Sequence, residues 1–66
     1  MKTPYWQITV ETPRLGHAES TLEHDKDKAR DALFEKAKSL IGGQTAYLYE
    51  VDDSGFIRLK YTIIRK

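Results

Sequence analysis

A chain of 66 residues has room for one small domain and buries only about 60% of the surface its unfolded form exposes, so any core is thin and any enclosed site small. It has no cysteine, which excludes disulfides and thiolate metal ligands and fits a reducing cytoplasm. A formal net charge of +1 argues against a general polyanion binder, and no apolar run approaches the roughly 18 residues of a membrane span.

Met1 to Pro4 leads directly into a strand-like segment without the apolar core of a signal peptide, so a cytoplasmic location is expected. From Tyr5 to Glu11 the residues are rich in aromatic and β-branched types, with Trp6, Ile8 and Val10 alternating against polar neighbours. That pattern predicts a half-buried strand. Pro13 and Gly16 then end the ladder and turn the chain. A short strand within residues 19–24 is compatible with the alternation of Thr21 and Glu23 with Leu22, although its apolar content is low.

Asp25 or Asp27 can supply a carboxylate to the unpaired N–H groups of a first helical turn. Ala29, Leu33, Ala37, Leu40 and Ile41 follow at helical spacing with Phe34 on their flank, and this stripe is expected to lie on the sheet. Lys28 with Asp31 and Glu35 with Lys38 are spaced to pair weakly on the outer face. Arg30 falls inside the apolar arc, where a snorkelling side chain is expected. Gly42 and Gly43 are expected to end the helix.

Two alternating runs, Thr45 to Asp52 and Phe56 to Ile64, flank Asp53, Ser54 and Gly55. Three loop residues with Gly last predict a hairpin closed by a type I turn and a left-handed bulge residue. Pairing Asp52 with Phe56 sets Val51 against Ile57, Tyr49 against Leu59 and Tyr47 against Tyr61, and this face is expected to be core. The other face would pair Glu50 with Arg58 and Leu48 with Lys60. The chain is thus read as one α+β domain over residues 1–66, strand, helix, strand, strand. One amphipathic helix packs on a three-stranded antiparallel sheet, or a four-stranded one if residues 19–24 contribute, and the apolar last strand is expected at its centre beside the first.

No motif announces catalysis. His17 and His24, with Glu19, Glu23 and Asp25 nearby, match no metal-ligand spacing, and the scattered glycines form no phosphate-binding loop. No catalytic residue, metal or cofactor is expected. The strand order resembles that of dodecins, but Trp6 and Gln7 lie in the first strand rather than a later one, so that resemblance implies nothing for this chain. In size, charge and lack of motifs the chain is similar to short bacteriophage reading frames whose products bind and inhibit a host protein.

The expectation is therefore a non-enzymatic protein-binding or inhibitory module, acting through an exposed sheet face or a strand edge. Its candidate contact residues are Gln7, Thr9, Leu48, Phe56, Arg58 and Lys60, and its partner another protein or a second copy. The alternative is single-stranded nucleic-acid binding. Acids crowd the middle of the chain from Glu19 to Glu35, whereas Phe56 to Lys66 carries Arg58, Lys60, Arg65 and Lys66 and no acid. There Phe56, Arg58 and Lys60 interleave ring and charge, similar to the stacking strand of RNA-recognition modules.

Overall fold

The computed structural model describes residues 3–65. β1 (Tyr5–Thr12) runs into a single 3-10 turn (Pro13–Leu15) and returns as β2 (His17–Glu23). α1 (Lys26–Lys38) follows, then β3 (Thr45–Val51) and β4 (Ile57–Ile64). All four strands form one antiparallel sheet in the order β2-β1-β3-β4. β2 and β3 are both antiparallel to β1, so they run parallel to each other, and α1 is the crossover that carries the chain from one to the other across β1.

The α+β class and the helix-on-sheet arrangement are as expected. The sheet has four strands, because the segment after Gly16 forms a full partner for β1 rather than a loop. Gly16 makes this reversal at φ 65° and its N–H donates to the Pro13 carbonyl at 3.1 Å. Little apolar area holds β2 in place. Its ladder bonds are supplemented on one face by side chains, where Ser20 Oγ lies 3.2 Å from Gln7 Nε2 and 3.1 Å from Thr9 Oγ1.

The order of strands corrects the expectation that the last strand sits centrally. β1 pairs with β3, and β4 lies at an edge. The faces of β3 are also inverted from the expectation. Trp6 and Ile8 of β1 join Ala46 and Leu48 of β3, with Ala29, Leu33 and Leu40, in one buried cluster. Ala29 and Ala46 are fully buried in this cluster. The alternate residues Tyr47, Tyr49 and Val51 then point to the other face. A tyrosine hydroxyl inside the thin core would need its own hydrogen-bond partner, whereas on the open face it reaches water.

α1 begins where expected: Asp25 accepts a hydrogen bond from the Lys28 N–H at 3.1 Å. It ends earlier, at Lys38, with Ser39 as its cap. Leu40 still drops into the core, but Ile41 is exposed. Gly43, at φ 89°, belongs to the turn leading into β3, in which the Ile41 N–H donates to Gln44 Oε1 at 2.9 Å. Of the two anticipated helix pairs, Glu35 with Lys38 forms at 3.3 Å, and a pair that was not anticipated sets Arg30 3.9 Å from Asp27.

Candidate functional site

The β3–β4 hairpin closes as the sequence predicts. The Gly55 N–H donates to the Asp52 carbonyl at 2.9 Å, and Gly55 takes φ 80°. The Asp52 carboxylate accepts from the backbone N–H groups of Ser54 and Phe56 at 2.9 and 3.0 Å. Val51 then faces Ile57, Glu50 faces Arg58 and Tyr49 faces Leu59. Beyond that point the predicted pairing slips. Leu48 is opposite Tyr61 and Tyr47 opposite Thr62, which leaves Lys60 as an extra residue in a β-bulge.

β4 is open on both faces: on the helix side because α1 is centred on β1 and β3, and on the other side because no described helix covers that face of the sheet. α1 packs over β1 and β3 and reaches β2, whereas it meets β4 only at its margin, where the Phe34 ring lies 6.5 Å from that of Tyr61 and Ile63 packs against the core. Ile57, Leu59 and Ile64 are 64%, 54% and 63% exposed, and Tyr61 is also exposed. Alternation around the bulge puts Ile57, Leu59, Thr62 and Ile64 on the open face with Tyr47, Tyr49 and Val51. The Tyr47 and Tyr49 rings stack there at 5.9 Å. Lys60, Tyr61 and Ile63 are on the helix side, where Ile63 packs against the core.

The two edges of the sheet differ. β2 has only Ala18 and Leu22 as apolar residues among His17, Glu19, Ser20, Thr21 and Glu23. Such a polar, acidic edge resists further strand pairing. β4 has five large apolar or aromatic side chains in eight residues and no proline; against these stand Arg58 and Lys60 on its helix side and the bulge at Lys60.

The expected contact residues do not gather on one surface. Leu48 is 3% exposed and part of the core, which corrects its assignment as a contact residue. Its burial follows from the inverted faces of β3. Gln7 and Thr9 lie half-buried on the open face, within the Ser20 cluster. Phe56, Arg58 and Lys60 are exposed. The Arg58 guanidinium sits over the Phe56 ring, 5.3 Å from its centroid, and 3.9 Å from Asp52, while Lys60 lies 3.9 Å from Glu50. The exposed residues that sequence reasoning assigned to the core are Ile57, Leu59 and Tyr61. One signal for them was present, because Tyr47 and Tyr49 suit a wet face better than Ala46 and Leu48 do.

Between α1 and β4 runs a groove of about 290 Å³ lined by Trp6, Lys26, Asp27, Arg30, Leu48, Lys60 and Tyr61. Arg30 lines this groove with its side chain about half exposed. His17 Nε2 lies 3.3 Å from Glu19 Oε1, and the His24 ring tilts against Tyr5 at 6.3 Å. Among the described residues no group of three or more metal-ligating side chains converges. No helix among them is long and apolar enough to cross a membrane.

Comparison with protein-family models, with curated proteins and with solved structures finds no match.

Proposed function

We propose that this chain is a non-enzymatic protein-binding module that docks its partner along β4 and the adjoining open sheet face. One observation carries the reading: the most apolar strand occupies an edge, with both its faces largely uncovered and one row of backbone groups unpaired. An edge of this kind takes up another strand readily, main-chain hydrogen bonds supplying affinity and alternate side chains supplying specificity. Ile57, Leu59, Tyr61 and Ile64 replace Leu48, Gln7 and Thr9 as the principal contacts, and Phe56 and Arg58 flank them.

The nucleic-acid alternative draws less support. Arg58 and Lys60 each have a carboxylate at 3.9 Å, so their charge is partly compensated within the chain, while phosphate binding relies on uncompensated cations.

Photo-crosslinking tests the proposal. With p-benzoylphenylalanine in place of Leu59, cells expressing the full chain should yield a covalent adduct with a polypeptide of defined mass. The same residue in place of the exposed Asp31 on α1 should not. No adduct at position 59, or equal adducts at both positions, overturns the reading.

A further inference from the structure

The backbone geometry of β4 limits what its free edge can pair with. The Phe56 carbonyl accepts from the Asp52 N–H at 3.1 Å, and Arg65 exchanges bonds with Gln44 and Gly43 at 2.9 and 2.8 Å. Phe56 and Arg65 therefore direct backbone groups inward to the β3 side, and ladder alternation turns those of Ile57 and Ile64 outward. Continuing the alternation from either end, with Lys60 as the extra residue, turns Leu59 and Thr62 outward too. These four outward stations are symmetric about a point between Lys60 and Tyr61, Ile57 matching Ile64 and Leu59 matching Thr62.

On the basis of the protein-binding reading, we infer that the partner of β4 is β4 of a second copy, paired antiparallel about a twofold axis between Lys60 and Tyr61. Each Ile57 then faces Ile64 of the second copy, and each Leu59 faces Thr62, with every outward backbone group opposite another. The extra residue does not spoil the register, because the twofold sets the two bulges against each other. On the helix side Lys60 faces the Tyr61 ring of the second copy, a cation–π geometry. The strip that α1 leaves bare lies beside the equivalent strip, so that Phe34 and Tyr61 of both copies fill the space between the two helices. Two four-stranded sheets become one continuous sheet, and the acidic β2 strands form its outer edges.

Charge favours this occupant. The cations of β4 lie near Asp52 and Glu50, so two β4 strands meet without strong repulsion. Pairing β2 with β2 would oppose Glu19 and Glu23 to their own kind. A β4-to-β2 contact does not close and would build filaments.

Sedimentation equilibrium tests the register with a charge swap. Ile57 and Ile64 lie at opposite ends of β4, separated along the strand by roughly 23 Å, so charges placed there do not meet within one copy. The wild type should be a dimer that grows no larger. Ile57→Lys alone and Ile64→Glu alone should each weaken association about tenfold or more, since each leaves a charge opposite isoleucine. The doubly substituted chain should recover it, because lysine then faces glutamate across the axis twice. Both positions are well exposed, and circular dichroism of each variant should match the wild type. A wild-type monomer at high-micromolar concentration, open-ended association, single variants that dimerise normally, or a double variant that stays dissociated overturns the inference. If position 59 still crosslinks to a different polypeptide, protein binding stands while the second copy falls; if it crosslinks to nothing, both fall.

Discussion

β3 and β4 are neighbours joined by the five residues 52–56, both rich in large apolar and aromatic side chains, yet Ala46, Leu48 and Val51 of β3 are buried while Ile57, Leu59, Tyr61 and Ile64 of β4 stand exposed. Composition does not separate them; position does. β3 has a strand on each side and a helix above it, whereas β4 has β3 on one side and nothing on the other. A single 13-residue helix is about 10–12 Å wide with its side chains, and strands are spaced about 4.8 Å apart, so on its own side it roofs two or three strands and leaves Tyr61 largely bare, while Ile57, Leu59 and Ile64 lie on the opposite face, which no described helix covers. Apolar character thus states that a strand requires cover, and the size of the fold decides whether one chain can supply it.

The comparison is sharpest at Leu48. It was read from sequence as a contact residue on the outer face and is 3% exposed in the fold. Leu48→Ala should cost about 2–5 kcal/mol, as much as the whole net stability of roughly 3–5 kcal/mol expected of so small a core. Circular dichroism during urea titration should then show the cooperative transition lost or moved to very low denaturant. A change below about 0.5 kcal/mol, the size expected of a surface substitution, would return Leu48 to the surface and undo the assignment of faces.

Gly55 governs the junction between the two strands. It takes φ 80°, and a Cβ built on it meets nothing within 4 Å, so any penalty for a side chain comes from the backbone alone. Gly55→Ala should therefore destabilise by about 1–2 kcal/mol, the usual cost of a left-handed conformation for an L-residue. The same unfolding titration reads it. An unchanged midpoint would mean that the turn can relax without disturbing the pairing of Val51 with Ile57.

Local signals were legible where one residue type answers one geometric demand. Asp25 capping α1, Gly16 after the 3-10 turn and Gly55 closing the hairpin are examples, and the first strand with its inward Trp6 and Ile8 is another. The faces of β3 were not legible, because Ala46 and Leu48 on one side and Tyr47, Tyr49 and Val51 on the other are all acceptable core residues. Alternation then identifies a strand without orienting it. Lys60 carries no mark of a bulge, and β2 is held largely by pairing with β1 rather than by an apolar stripe. The candidate site was missed for a connected reason: a strand as apolar as β4 reads as a central one, and its edge position follows from long-range order that no local pattern records.

The smallest effect on stability belongs to Leu59, directly across the ladder from Tyr49. Leu59→Thr keeps a strand-compatible side chain and gives up apolar contact at a residue that is already 54% exposed. In dilute solution, where association contributes little, its unfolding free energy should stay within about 0.5 kcal/mol of the wild type. The contrast with Leu48→Ala is the measurable form of the difference between the two sites: leucines on adjacent strands and opposite faces of the sheet, one in the core beneath the helix and the other on the open face in water. If Leu59→Thr proved as costly as Leu48→Ala in the dissociated chain, β4 would already be covered from within, and its edge would have nothing to offer a partner. If it costs almost nothing in dilute solution and weakens pairing at higher concentration, the apolar surface of β4 serves assembly rather than the fold of the single chain.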